Sequence, residues 1–176
     1  MEDLYPISED TLLLLDNVNC GKRVLEIGTG NGAVAIKCAK EGSEVLAVDI
    51  DEEAVEHLKK LSKSMNLKIQ VRVSNLFENV DGKFDTIIFN PPYLPGDPET
   101  IKDLQWAGGG EYGDEIIIQF LKEAWKYMES DGEIYIILSS FNRIEEMQSF
   151  PYHFEKLKEL KLSFHKIFLY RLRKKV

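Results

Sequence analysis

Apolar positions along this chain follow two alternating rhythms. Short runs such as Val24-Leu25-Glu26-Ile27, Val45-Leu46-Ala47-Val48, Ile69-Gln70-Val71-Arg72-Val73 and Thr86-Ile87-Ile88-Phe89 predict strands near 22–27, 44–49, 69–73 and 84–90. Between them the spacing turns helical near 31–41 and 51–65, and in the second of these Asp51 suits the N-cap with Glu52 and Glu53 in the first turn. Further on, Ile117, Phe120, Leu121 and Ala124 mark one face of a helix over 114–127, followed by a fifth strand at Glu133–Leu138. Phe154–Leu162 and Lys166–Leu172 read as a closing antiparallel hairpin, and residues 1–20 as an N-terminal helical segment. Strands alternating with helices predict an α/β domain, a mostly parallel sheet wound by right-handed crossovers.

The loops that leave these strands carry the candidate chemistry. Gly28-Thr29-Gly30-Asn31-Gly32 joins the first strand to its helix, and its glycines let backbone approach a ligand closely. Read as Gly-x-Gly-x-x-Ala over Gly28, Gly30 and Ala33, the loop also fits a dinucleotide fingerprint. Glu26 argues against that ligand. A carboxylate just ahead of the glycines would repel a pyrophosphate, whereas it suits the ammonium and sulfonium of S-adenosylmethionine. The plainer role for Glu26 is a solvated strand end. Asp49 ends the second strand about twenty residues beyond the loop, where an acidic side chain accepts from ribose hydroxyls. With Asp51 taking the helix cap, Asp49 is expected to be free for that role. Asn75 and Leu76 follow the third strand, placed to bond and to pack on an adenine, although Asn75 also serves as an ordinary turn residue.

Asn90-Pro91-Pro92-Tyr93 comes directly after the fourth strand. The tetrapeptide suits methylation of a planar nitrogen, whose lone pair is delocalised and must be aimed at the methyl donor by holding both N–H groups. The Asn90 side-chain carbonyl and the Pro91 backbone carbonyl can accept one N–H each. Fixed φ at Pro91 and Pro92, and an extended residue before them, preposition both acceptors, and Tyr93 can lie flat against the target. The competing reading is a proline-terminated strand and turn.

Taken together, the glycine loop, Asp49, Ser74-Asn75-Leu76-Phe77 and Asn90-Pro91-Pro92-Tyr93 resemble the class I S-adenosylmethionine-dependent methyltransferases of the HemK type, which methylate the side-chain amide of glutamine. The stretches Tyr5-Pro6-Ile7-Ser8-Glu9-Asp10-Thr11-Leu12-Leu13-Leu14 and Trp106-Ala107-Gly108-Gly109-Gly110-Glu111-Tyr112-Gly113-Asp114-Glu115 are similar to the short archaeal and eukaryotic branch. That branch acts on the Gly-Gly-Gln loop of the class I translation termination (release) factor. The resemblance runs from about Leu4 through the last strand. It implies a Rossmann-like fold with a seven-stranded, mostly parallel sheet in the order 3-2-1-4-5-7-6. It implies S-adenosyl-L-methionine as cofactor, lined by Thr11, Glu26, Gly28, Thr29, Gly30, Asp49, Asn75, Leu76 and Asn90, and a target amide held by Asn90, Pro91, Pro92 and Tyr93. It further implies a small zinc-binding activator protein. In that sheet order Ile69–Val73 is an uncovered edge that invites strand addition, so a heterodimer built along it is expected, a plain edge strand protected by Arg72 and neighbouring lysines being the alternative. One position departs from the pattern: the family usually has Asp where this chain has Asn75.

Composition narrows the alternatives. With 176 residues, 44% of them hydrophobic, the chain suits one domain with a substantial core and no separate target-recognition domain. Asn-Pro-Pro-Tyr also serves flipped bases, so N6-adenine or N2-guanine methylation of nucleic acid is an alternative, but a net charge of −8 is a poor footprint for gripping phosphates. Lysine-directed protein methylation and a noncatalytic cofactor-binding subunit are further readings. Arg171, Arg173, Lys174 and Lys175 read as the solvated end of a final strand. There is no membrane-length apolar run, and Glu2 and Asp3 stand where a signal peptide needs basic residues, so a soluble, cytoplasmic protein is expected. Cys20 and Cys38 are read as reduced, partly buried thiols, and His57, His153 and His165 as isolated side chains, with no metal proposed. The stretch 90–113 is long and rich in Pro and Gly. It is expected to be a substrate loop in which Trp106 and Gly108-Gly109-Gly110 close over the target, a packed surface loop being the alternative.

Overall fold

The computed structural model describes residues 7–175. Tyr5 and Pro6, part of the N-terminal resemblance, lie outside them. Strands β1 (Arg23–Ile27), β2 (Glu44–Asp49), β3 (Ile69–Val73), β4 (Phe84–Phe89) and β5 (Met128–Ser139) form the parallel part of one sheet. Strands β6 (Tyr152–Lys161) and β7 (Lys166–Lys174) close it, β7 running antiparallel to β5 and β6 to β7. The order is β3-β2-β1-β4-β5-β7-β6, as the resemblance implies, with seven strands.

The central strands are apolar on both faces over most of their length because both faces of the sheet are covered. Leu25 and Ile27 of β1, Ile87 and Phe89 of β4, and Ile134, Ile136 and Leu138 of β5 point to one face, where they meet Ile117, Phe120 and Leu121 of helix α4 (Glu115–Ala124). Val24, Ile88, Tyr135 and Ile137 point the other way, against Leu14 of α1 (Glu9–Asn17), Val34 and Ala35 of α2 (Ala33–Lys40), and Val55 and Leu58 of α3 (Glu52–Ser64). Each such fully buried aliphatic side chain stabilises the fold by about 1.5–3 kcal/mol. Asp51 caps α3 as its sequence predicts, accepting from Glu53 N at 2.9 Å.

Several elements differ from expectation. β5 starts at Met128, which pairs with Phe84 before the register shifts to Thr86 opposite Glu133, so the polar segment Glu129–Gly132 bulges out of the ladder. A 3₁₀ helix, Ile101–Gln105, and the one-turn α5 (Ile144–Met147) were not expected, and the helix predicted over 114–127 ends in a 3₁₀ turn, Trp125–Tyr127. Cys20 and Cys38 are not free thiols: they form a disulfide. Cys38 lies on the buried face of α2 and Cys20 in the chain entering β1, which brings their Cα atoms to 5.4 Å, within bridging distance, despite 18 residues of separation in sequence. The basic C-terminal end is solvated strand as expected, with its arginines paired: Arg171 meets Glu155 at 2.7 Å and Arg173 meets Glu133 at 2.5 Å. No helix of the described residues is long and apolar enough to cross a membrane.

Candidate active site

The C-terminal ends of β1, β2 and β4 open into a cleft of about 330 Å³, completed by α1, the turn after β3 and the segment 101–119. Thr11, Glu26, Gly28, Thr29, Gly30, Asp49, Asn75, Leu76, Asn90 and Pro92 all line it. The structure therefore brings together every residue expected to contact the cofactor. Pro91 and Tyr93 are outside that lining.

Local causes fix each side chain. Gly28 has φ +65°, and a Cβ there would meet the Phe89 ring at 3.6 Å, so glycine lets the chain turn left-handed at the mouth of the cleft. Glu26 is buried, not a solvated strand end. It accepts from Thr29 Oγ1 at 2.7 Å and from Ala35 N, in the first turn of α2, at 3.0 Å. Burial outweighs those two donors and pushes its carboxyl up to about 8. Asp49 is not free: Gly30 N donates to one oxygen and Asp51 N to the other, each at 2.9 Å. A carboxylate oxygen has two lone-pair directions, so each can still accept from a hydroxyl. Burial raises the Asp49 pKa, and those backbone donors oppose the rise.

After β3, Leu76 adopts φ +50°, unusual for a branched residue, and the Ser74 hydroxyl, donating to Leu76 O at 2.8 Å and accepting from Asn79 N at 3.0 Å, holds the turn. At the end of β4, the Asn90 side-chain oxygen is buried and accepts no hydrogen bond. Such an atom is costly unless a partner arrives. The Tyr93 hydroxyl donates to Asp10 Oδ2 at 3.1 Å. Burial, then the neighbouring Asp10 carboxylate, raises the Tyr93 pKa well above its ordinary value, so the phenol stays protonated at neutral pH.

Sequence reasoning missed several lining residues. Asp10 and Asp51 add carboxylates, and Ile101, Leu104 and Gln105 of the 3₁₀ helix form a further wall. A signal for that helix was present as Thr100-x-x-Asp103, a capping box in which Asp103 Oδ2 accepts from Thr100 N at 2.9 Å and Thr100 Oγ1 from Asp103 N at 3.3 Å. Gly108, Gly109 and Gly110 do not line the cleft. They pack within the loop, where Gly108 N donates to Leu94 O and Gly109 N to Gly96 O.

Among the described residues no Lys or Arg lines the cleft, while Glu26, Asp49, Asp10 and Asp51 do. That donor set suits a cationic ligand and opposes a pyrophosphate, so the residues present fit S-adenosylmethionine better than a dinucleotide. Residues 7–167 match the family model described as Methyltransferase small domain. A candidate protein N5-glutamine methyltransferase of Methanocaldococcus jannaschii is 42% identical over 150 residues, covering 82% of this chain and 76% of the relative. The chain belongs to the methyltransferase small-domain family and is of the HemK type. This HemK-type chain is also 32% identical to the release factor glutamine methyltransferase of Streptococcus pneumoniae, over 71% of its own length but only 48% of that relative's. Among solved structures, the fold of the HemK-type chain is similar to the E. cuniculi Mtq2–Trm112 complex, responsible for methylation of the eRF1 translation termination factor. The TM-score is 0.76 at 23% identity, over 98% of this chain and 99% of that one.

Proposed function

We propose that this HemK-type protein transfers a methyl group from S-adenosyl-L-methionine to the side-chain amide nitrogen of a protein glutamine, the target being the Gly-Gly-Gln loop of a class I translation termination factor. The observation that carries the reading is the buried, unpartnered Asn90 side-chain oxygen at the end of β4. An incoming primary amide would supply the N–H it lacks, and the Pro91 carbonyl would take the second N–H. When bound, the cofactor supplies an electrophilic methyl group on a sulfonium. The chain's own residues hold and orient. Glu26 and Asp49 bind the cofactor's cationic and ribose ends, Leu76 and Asn75 its adenine, and Thr11 and the Gly28-Thr29-Gly30 backbone enclose it. Asn90, Pro91 and Pro92 aim the amide nitrogen, and Tyr93, anchored on Asp10, forms a wall beside it.

Positioning and exclusion of water are the whole of the chemistry asked of the protein. No general base is needed, because a methylated amide nitrogen is strongly acidic and loses its proton unaided. Tyr93, held protonated, is not suited to the task of base. The same reading includes a small zinc-binding activator protein paired along β3, which ends the sheet and exposes Val73. The name of the similar E. cuniculi complex, two proteins together, supports such a partner. The test is a methyl-transfer assay on the termination factor and on its Gln-substituted version, with and without the candidate partner. Transfer to the first and none to the second supports the reading; equal labelling of both overturns it.

A further inference from the structure

Asn142, in the turn after β5, has no place in the cleft and no signature in the sequence, yet it is the most heavily bonded polar side chain near the Asn90–Tyr93 tetrapeptide. It is buried. Its side-chain oxygen accepts from Ser139 N at 2.7 Å, which fixes it to the last residue of β5. Its NH2 group donates to Tyr93 O at 2.9 Å, Tyr112 O at 2.8 Å and Gly113 O at 3.3 Å. Ser139 Oγ adds a weaker bond to the same Tyr93 carbonyl at 3.4 Å. One amide thus gathers the start and the end of the loop 90–113 at a single point.

The packing around that point leaves no slack. A Cβ on Gly113 would come within 2.6 Å of Tyr93 O, and a Cβ on Gly108 within 2.5 Å of Pro92 O and 1.9 Å of Gly113 O. The tetrapeptide is therefore clamped at both ends. Upstream, Phe89 is paired in the sheet with Ile27 and Ile136. Downstream, the Tyr93 carbonyl is pinned by Asn142, and between them the two prolines have fixed φ. Few torsions remain by which the Asn90 and Pro91 carbonyls could swing. Small displacements of such acceptors are costly, since a misplacement of about 1 Å can lower a rate about 10²-fold.

We infer that Asn142 is a positioning residue for methyl transfer, holding the acceptor tetrapeptide in register through the Tyr93 carbonyl. The inference rests on the reading of Asn90-Pro91-Pro92-Tyr93 as the element that holds the target amide. Asn142→Asp, which keeps the size but turns an acceptor toward three carbonyls, and Asn142→Ala are compared with wild type for kcat and KM on the termination factor, for cofactor Kd, and for hydrogen exchange of the Gly108 amide. The expected result is a kcat lowered about 10- to 100-fold, with cofactor Kd within about twofold of wild type and faster exchange at Gly108. A kcat close to wild type, or a cofactor affinity that falls in step with kcat, overturns the positioning role. Wild type keeps the two readings apart. No transfer to glutamine by wild type overturns the functional reading and this inference with it, whereas transfer that Asn142→Asp matches overturns the inference alone.

Discussion

Glu26 should couple cofactor binding to proton release. Its carboxyl, ordinarily near 4.5, is pushed to about 8 by burial beneath the glycine loop, so in the unliganded protein it is protonated at neutral pH. The difference between those two values corresponds to at most about 5 kcal/mol, an order-of-magnitude ceiling on the cost of ionising the group in place. The sign follows from the raised folded value. Stability from this group is fully present below about pH 4.5 and is lost as pH rises through about 8, because the unfolded chain ionises first. A cationic cofactor beside Glu26 favours the carboxylate, so binding near pH 7 should expel about one proton, and affinity should tighten close to tenfold from about pH 6 to 7 before levelling off above about pH 8. Calorimetric titration in buffers of different ionisation enthalpy counts that proton. Glu26→Gln keeps an oxygen to accept from Thr29 and Ala35. It should abolish the proton release and weaken binding by about 2 kcal/mol, as loss of a charged hydrogen-bond partner does. A binding enthalpy independent of buffer and an affinity flat across this pH range would refute the reasoning.

Other expected outcomes can be checked with the same protein. Asn90→Ala should lower turnover by about 10²–10³ while leaving cofactor affinity and melting temperature nearly unchanged, and near-normal turnover would remove the side-chain oxygen from the chemistry. Asp49→Ala should weaken cofactor binding by about 2–3 kcal/mol in calorimetry, and because Asp49 also accepts from Gly30 and Asp51 it should lower the melting temperature as well. Breaking the Cys20–Cys38 bridge, by reductant or Cys20→Ser, frees a segment with 18 residues of separation and should destabilise the protein by roughly 3 kcal/mol in denaturant titrations. Identical curves with and without reductant would mean the bridge contributes nothing.

What the sequence reveals and what it hides divide along the range of the contact involved. The strands were legible because apolar runs are a local pattern, whereas the sheet order followed from the family resemblance; the residues expected at the cofactor do line one cleft, each of them leaving a strand end or, like Thr11, standing on α1. Contacts across long separations were not. Asn142 meets Tyr93 across 49 residues and Tyr112 across 30, and a lone Asn after Phe141 carries no mark of either. The disulfide needed Cys38 on the inward face of α2 and Cys20 at the mouth of β1, a juxtaposition that only packing creates. Asp49 was correctly placed at the cleft, but its engagement by two backbone donors depends on the path of the glycine loop and could not be read from its spacing. The state of Glu26 was hidden for a similar reason, because a strand end is solvated or buried according to whether the glycine loop and α2 fold over it.

The most direct test of the account is tandem mass spectrometry of the termination factor after incubation with the protein, the candidate partner and S-adenosyl-L-methionine. One added methyl group on the side-chain amide of the glutamine in the Gly-Gly-Gln loop, absent when Asn90→Ala replaces the wild type, is the predicted result. A methyl group found on lysine or on nucleic acid, with that glutamine unmodified, would contradict the central claim.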